Sequence, residues 1–355
     1  IRKVRAALKS AASEAGVEEA DASAVLEHPN VLHAAGDPAK PACEDIAAAA
    51  AQGVTARFFY RDTASGPADR TVEAEPGIAY GIAGAGNLPA PPDGSGVISG
   101  IWSGYLEAPV SGYYNFRIDA DDTAEIRLQL DGRQVPLARS GGRWSNSVPV
   151  ELDAGKLTAF VLTAEKVKSV LAVRWETSGT GWETIAPARF VPEAAMARFR
   201  AAFGRFLKAA QLARGLKLSM NELAWLAAKP EYRLSGDGWL NRLPAGGEAG
   251  AADAEAFAKI LRDILQYAIV KKELSPGAHA LLEAMRDPAA AFADGRLSGL
   301  FGADVSSVGT LLDRFGLSPD QLAGIPALGR MHEACAVLRK LGIGADALFR
   351  AATND

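Results

Sequence analysis

The most constraining feature of this sequence is a run of alternating apolar and polar residues near its middle. Tyr114, Phe116 and Ile118 alternate with polar neighbours, and after a short polar corner at residues 120–123 the alternation resumes over residues 124–130. A period of two buries one face of a strand and leaves the other in water. The run therefore predicts two half-buried antiparallel strands joined by a corner, and Asp131-Gly132 predicts a turn that closes the second strand.

The residues around these strands resemble the PA14 domain, a β-sandwich family named after a bacterial toxin component. The run Trp-Ser-Gly-Tyr-Leu at 102–106, followed by Ala108-Pro109 and by Ser-Gly-Tyr-Tyr-Asn-Phe at 111–116, is similar to the core signature of the family. Asp121-Asp122 and the segment 128–132 resemble its next hairpin. The segment 150–156 matches the family's usual strand and turn, 171–175 with 185–192 resembles its closing strand and tail, and 56–60 is similar to its opening strand. The resemblance implies an antiparallel β-sandwich over residues 54–192.

The sequence on both sides of this region predicts helices. Residues 1–53 are rich in alanine, and after residue 192 the apolar period changes from two to 3.6, with a stripe formed by Met196, Phe199, Phe203, Phe206 and Ala210. Ser219 with Glu222, and Ser318 with Gln321, have the spacing of capping boxes at helix starts. We therefore expect an α+β multidomain chain, with an N-terminal helical region (1–53), the PA14-like β-sandwich (54–192) and a C-terminal helical region (193–355).

The capped helices support a second resemblance. Short helices that begin Leu-Ser-x-x-Glu/Gln-Leu, in a chain interrupted by a β-sandwich, are similar to the shell of the A subunits of bacterial Tc toxin complexes. This resemblance implies a secreted or extracellular fragment of a toxin or virulence protein, in which a PA14-like module recognises a cell surface. Its partners would be a cell-surface glycan or receptor and the other subunits of the toxin complex.

Composition and charge narrow the classes of partner. The 355 residues carry a formal net charge of −4, which gives no reason to expect nucleic acid as a partner. No apolar run reaches the length of a bilayer span. Cys43 and Cys335 are the only cysteines, so the sequence has neither a disulfide framework nor a cysteine-rich metal site. Because the sequence begins at Ile1 rather than Met, we expect it to be a fragment.

The candidate binding residues centre on Asp121 and Asp122. Adjacent carboxylates at a strand corner supply hard oxygen ligands that suit calcium, and glycan-binding PA14 members use such a pair to hold a calcium ion. The same residues also form plain turns. Asn146 is the nearest further ligand by type, while Trp144 and Trp182 supply either core bulk or rings for a sugar. We expect no cofactor, because no second acidic loop completes a calcium shell; calcium at Asp121 and Asp122 is the alternative.

The sequence offers no catalytic constellation. His28 and His33 lack further metal-ligand partners, and no nucleophile elbow is present. We therefore expect a non-catalytic protein, with no catalytic residues in this sequence. The alternative is a carbohydrate-binding module of a larger glycoside-active enzyme. The helical flanks favour the toxin fragment, since strands would be expected to flank a module inserted in a glycosidase.

Overall fold

A computed structural model describes residues 2–92, 94, 96–244, 254–274 and 280–352. The chain forms two compact units. The first comprises Ile1–Ala7 and Cys43–Ala202, and the second comprises Leu8–Ala42 and Phe203–Asp355. The first is called the sandwich unit and the second the helical unit. The expected combination of an antiparallel β-sandwich with helices, an α+β fold, is confirmed.

The strands and helices have the following bounds. The strands are β1 (His33–Ala34), β2 (Asp37–Pro41), β3 (Val54–Phe59), β4 (Arg70–Glu75), β5 (Ala79–Tyr80), β6 (Ile98–Glu107), β7 (Gly112–Ala120), β8 (Glu125–Leu130), β9 (Arg133–Val135), β10 (Leu137–Ser140), β11 (Arg143–Asn146), β12 (Val150–Leu152), β13 (Leu157–Val167), β14 (Leu171–Thr177), β15 (Glu183–Thr184), β16 (Phe190–Pro192), β17 (Arg233–Leu234) and β18 (Asp237–Gly238). The helices are α1 (Arg2–Ala15), α2 (Glu19–Leu26), α3 (Cys43–Ala48), α4 (Glu193–Leu216), α5 (Met220–Ala227), α6 (Ala254–Glu273), α7 (Ala280–Arg286), α8 (Pro288–Ala293), α9 (Arg296–Phe301), α10 (Val305–Phe315), α11 (Ile325–Leu341) and α12 (Ala345–Ala352).

Two antiparallel sheets form the sandwich. In the first, called sheet I, the strand order is β10-β11-β7-β14-β15, with β12 paired to β7 and β5 paired to β14. In the second, called sheet II, the order is β4-β3-β6-β13-β8-β9, with β16 paired to β6. The segment 157–164, which is apolar on both faces, is predicted to be a central strand. This prediction is confirmed, because β13 lies between β6 and β8.

The core lies between the inner faces of the two sheets. From β7 it receives Tyr114, Phe116 and Ile118, each no more than 1% exposed, and from sheet II it receives the fully buried Trp102 and Phe160. The Trp102 indole meets the Phe58 ring edge to face at 5.7 Å, and its N–H donates to the Tyr80 hydroxyl at 3.1 Å. The alternation in the sequence therefore predicts the buried face of β7 correctly.

The corner at residues 120–123 connects the two sheets. The sequence predicts antiparallel strands joined there, but β7 belongs to sheet I and β8 to sheet II, so they are not hydrogen-bonded neighbours. The physical reason is that each strand has one apolar face. When the chain crosses from sheet I to sheet II, the apolar faces of β7 and β8 face each other and are buried in the same core. The next turn does close a hairpin: Asp131 and Gly132 both have positive φ, and Leu130 pairs with Arg133.

The helical unit contains the elements whose starts were predicted from capping boxes. Ser219 caps α5, accepting a hydrogen bond from the Glu222 backbone while the Glu222 carboxylate accepts from the Ser219 N–H. Glu222 is fully buried and is also bonded by Tyr267 and Lys271. Ser318 and Gln321 form the second capping box, which opens the short 3₁₀ helix Pro319–Ala323. In the described part of the chain no helix is both long and apolar enough to cross a bilayer.

Replacing Phe116 tests the position of β7 in the core. Phe116→Ala should lower the free energy of unfolding by about 3–5 kcal/mol, because a fully buried ring is removed from a packed interior. Gln129→Ala, on the exposed face of β8, should stay within about 0.5 kcal/mol. Chemical denaturation of the two variants measures the difference. A larger loss for Gln129→Ala would show that the inner and outer faces are assigned the wrong way round.

Candidate binding site

The outer face of sheet I carries an open pocket of about 690 Å³. Because Phe116 and Ile118 point into the core, the intervening Arg117 and the following Asp119 point outwards from β7. The pocket is lined by these two residues together with Arg143, Arg174, Asp121 and Asp122, among others. Its volume lies within the range of about 300–1,000 Å³ that is typical of pockets for small ligands.

One carboxylate lies among three guanidinium groups on the floor of this pocket. Asp119 is approached by Nε of Arg174 at 3.1 Å, by Nε of Arg117 at 3.3 Å and by Nε of Arg143 at 3.5 Å. The side chains of Asp119, Arg117 and Arg174 are largely buried, whereas that of Arg143 is 66% exposed. We call Asp119, Arg117, Arg143 and Arg174 the arginine cluster. It carries three positive charges and one negative charge.

The register of the sheet forces two of these cations together. Arg174 on β14 lies directly opposite Arg117 on β7, and like charges in directly opposed positions destabilise a sheet. Asp119 offsets part of this repulsion. Among the residues that the structure describes, the buried Nε atoms of Arg117 and Arg174 lie at ion-pair distance from the Asp119 carboxylate without forming hydrogen bonds, and Arg117 donates to it through Nη2 at 3.4 Å. The cluster thus has more guanidinium groups than the one Asp119 carboxylate can neutralise, and Asp121 and Asp122 line the same pocket.

Asp121 ties the end of β7 to the loop before β14. Its Oδ2 accepts from the backbone N–H groups of Lys168, Ser169 and Val170 at 2.7, 2.8 and 3.2 Å, and its Oδ1 accepts from the Ser169 hydroxyl at 2.7 Å. Burial by itself would raise the pKa of this carboxyl. The hydrogen bonds from Ser169, Lys168 and Val170 outweigh burial and hold the pKa below its usual 3.8.

The other candidates lie in different places. Asp122 is exposed, and its backbone carbonyl accepts a hydrogen bond from Arg139. Trp144 is 5% exposed in the core, with the Arg139 guanidinium 5.0 Å from its ring centre. Trp182 is half-buried and stacks at 5.0 Å on Arg117, a residue that lines the pocket. Asp121, Asp122 and Trp182 are therefore associated with the pocket, whereas Trp144 packs inside.

Asn146 lies away from the corner. Its Oδ1 accepts from the Phe116 N–H at 2.6 Å, and its side-chain amide donates to the carbonyls of Tyr114 and Val148. Phe116 precedes Asp121 by five positions, which is roughly 16 Å along a strand at about 3.3 Å per residue. One ion cannot be bound by ligands at that separation, so the structure does not bring Asn146 together with the aspartates.

These residues do not fit a calcium ion. Calcium takes about six to eight oxygen ligands. Asp121 already accepts four hydrogen bonds from the protein, which leaves Asp122 as the only uncommitted carboxylate of the pair. No group of three or more His, Cys, Asp or Glu side chains within the described ranges is placed to hold a metal. His33 is engaged elsewhere, with its Nε2 lying 3.0 Å from the Asp237 carboxylate in the helical unit.

The sandwich unit is an antiparallel β-sandwich with an open pocket on the outer face of sheet I. Residues 51–136 match the family model of the PA14 domain. The expected PA14 resemblance is thereby confirmed for these residues, and β10 to β16 complete the two sheets beyond them. No curated protein matches the chain.

Several solved structures are similar to part of the chain. An anti-sigma factor domain-containing protein from Clostridium clariflavum has 16% identity and a TM-score of 0.33, covering 40% of this chain and 47% of its own. A PA14 sugar-binding domain from an RTX adhesin has 16% identity and a TM-score of 0.31, and the match covers 40% of this chain and 98% of that domain. The Epithelial Adhesin 6 A domain from Candida glabrata, in complex with Galβ1-3GlcNAc, has 14% identity and a TM-score of 0.29, and the match covers 40% of this chain and 86% of that domain. The matched part spans about half the length of the first of these structures, and at these TM-scores none supports an argument about this chain.

Sequence reasoning missed the arginine cluster. The alternation places Arg117 and Asp119 on the outer face of β7, but Arg143 and Arg174 come from strands far along the chain. The sequence does contain a signal for Arg174. Because Arg174 stands between the apolar residues Val173 and Trp175, the alternation along the strand directs it outwards. Pairing this strand with β7 would have suggested a concentration of positive charge.

Replacing Asp121 tests its role as a backbone acceptor. Asp121→Asn should lower the free energy of unfolding at neutral pH by about 1–2 kcal/mol, since hydrogen bonds to a charged group are lost at a partly exposed site. Because the folded pKa lies below the unfolded one, this contribution is complete above the unfolded value and is lost as the pH falls through the folded value. Denaturation at several pH values should therefore show the difference from the wild type shrinking below about pH 4.

The matched control is Asp122→Asn, which removes the neighbouring exposed carboxylate. It should change stability by no more than about 0.5 kcal/mol at neutral pH. A greater loss for Asp122→Asn than for Asp121→Asn would contradict the assignment of Asp121 as the structural member of the pair.

Thermal melts test the calcium alternative. Calcium at about 1 mM, the range in which extracellular modules bind it, should leave the Tm unchanged, because the donor set is incomplete. A ligand that binds only the folded state would raise the Tm by mass action. A calcium-dependent rise that is lost in Asp122→Asn would show that the corner binds the ion.

Proposed function

We propose that the sandwich unit is a non-catalytic module that recognises a cell-surface glycan or receptor. The observation that carries the proposal is the open polar pocket beside the Asp121-Asp122 corner of a PA14 domain. The PA14 resemblance supports a glycan as the ligand, with the pocket beside the corner, rather than a calcium ion at Asp121 and Asp122, supplying the contacts.

The build of the pocket favours recognition of an extended polar ligand. Its arginine donors come from three neighbouring strands, β7, β11 and β14, whose register fixes them relative to one another. Sugars offer many hydroxyl groups, which suit a site with several fixed polar groups. Because the pocket is open, a bound saccharide can remain part of a longer chain attached to a surface.

The carboxylates in the pocket support binding rather than catalysis. Glycoside cleavage uses a pair of carboxyl groups on opposite sides of the scissile bond. Of the three aspartates that line the pocket, Asp119 is engaged by arginines and Asp121 by backbone N–H groups. Only Asp122 is uncommitted, so no pair is available in this pocket.

The proposal extends to the context of the module. We place it in a secreted or extracellular toxin or virulence protein related to Tc toxin A subunits, with other toxin subunits as partners. The support is the set of short capped helices in the helical unit, opened by the Ser219 and Ser318 capping boxes. The family match covers residues 51–136 and gives no support to this part of the proposal.

A glycan array probed with the full chain tests the recognition function. The wild type should bind at least one immobilised glycan, and Ser140→Trp should abolish this binding because a large ring at the pocket lining fills the space. Thr71→Trp, at an exposed position of β4 in sheet II, is the matched control and should bind as the wild type does.

Two results would contradict the proposal. If the wild type bound no glycan on the array, the proposal that the ligand is a glycan would be wrong. Equal binding by the wild type and Ser140→Trp, with both proteins folded by circular dichroism, would show that recognition takes place away from this pocket.

A further inference from the structure

We propose that the pocket binds a sugar bearing a carboxylate or sulfate group, held by the arginine cluster. This inference rests on the proposed glycan recognition and names the class of ligand. The two groups share one chemistry: a compact oxyanion attached to a saccharide.

The charge of the cluster is the first argument. Three guanidinium groups lie around the single carboxylate of Asp119, so two positive charges have no counter-charge within the cluster. Asp121 and Asp122 also line the pocket, which therefore holds three arginines and three aspartates. Because Asp121 accepts from the N–H groups of residues 168–170, the positive excess is concentrated at the arginine cluster. An ion pair that only stabilised the fold would need one arginine beside Asp119. The cluster has three, so its positive charge exceeds what a structural role requires.

The accessible donors of the cluster are the second argument. The Nε atoms of Arg117 and Arg174 are buried against Asp119, whereas the Arg143 side chain, which lines the pocket, is 66% exposed. The planar guanidinium presents donors in a fork that matches a carboxylate or sulfate, so an oxyanion bound here would gain charge-assisted hydrogen bonds from the accessible donors.

The arrangement of the strands is the third argument. Arg117 and Arg174 oppose each other across β7 and β14, an arrangement that costs stability in the absence of a bound anion. Proteins break such local rules mainly at functional sites. Trp182 stacks on the Arg117 guanidinium at 5.0 Å, which fixes the direction of this cation beside the pocket.

A set of immobilised polymers with one common backbone tests the inference with the full chain. The probes are neutral dextran, carboxymethyl dextran and dextran sulfate, and polyglutamate serves as an anionic polymer without sugar. We expect binding to carboxymethyl dextran or dextran sulfate, weaker binding to polyglutamate and none to dextran. The two charged dextrans distinguish a carboxylate ligand from a sulfate ligand, and binding should weaken as salt is added.

Charge-matched variants locate the binding on the molecule. Arg174→Gln and Arg143→Gln should each weaken binding about tenfold or more, as expected for the loss of one charge-assisted contact. Arg143 is 66% exposed, so its replacement should leave the fold intact even if Arg174→Gln is unstable. Arg133→Gln removes the same charge from an exposed position of β9 in sheet II and should bind as the wild type does.

The possible failures can be told apart. Binding of only neutral glycans on the array, unaffected by Arg143→Gln, would overturn the anionic ligand and leave glycan recognition in place. Equal binding to polyglutamate and the charged dextrans would show that the pocket recognises the anionic group alone and not a sugar. Equal weakening by Arg133→Gln and Arg143→Gln would show that the attraction is not located in the pocket. A lack of binding to every array glycan and every dextran would remove the proposed function together with this inference.

Discussion

The alternation of side chains along β7 is the constraint on which the sandwich unit depends. This strand lies at the centre of sheet I, where it pairs with β11 and β12 on one side and β14 on the other. Its inward residues, Tyr114, Phe116 and Ile118, fill the core, and its outward residues, Arg117 and Asp119, form the pocket floor. A shift of register by one residue would place charge in the core and aromatic rings in water. Core and pocket are therefore specified by the same register.

Asp121 secures this arrangement where β7 ends. The chain leaves sheet I at this point and crosses to sheet II, so β7 forms no hairpin with the strand that follows it, and its last residues pair only with β11 and β14. The carboxylate binds three consecutive N–H groups of the loop that precedes β14 and thereby joins two segments that are far apart in sequence. The residue that the PA14 resemblance implies as a calcium ligand serves here as a backbone cap.

How far the sequence predicts the structure depends on the range of the interactions involved. The strands, the capping boxes and the Asp131-Gly132 turn follow from local patterns, and these predictions are confirmed. The path of the corner could not be derived, because a period of two identifies the buried face of a strand but not the sheet that contains it. The arginine cluster was missed for the same reason. Arg117 and Arg174 meet only through the register of β7 and β14, and no local spacing encodes that register.

The arginine cluster also bears on how the chain would meet a charged surface. The chain as a whole carries a net charge of −4, whereas the cluster carries a local excess of positive charge. Near an anionic surface, such a molecule would be repelled by its net charge and attracted at the arginine cluster. The resulting torque turns it during diffusion, before any contact forms, and the effect weakens as ionic strength rises. The contrast between the two charges would therefore favour encounters in which the pocket faces the surface first.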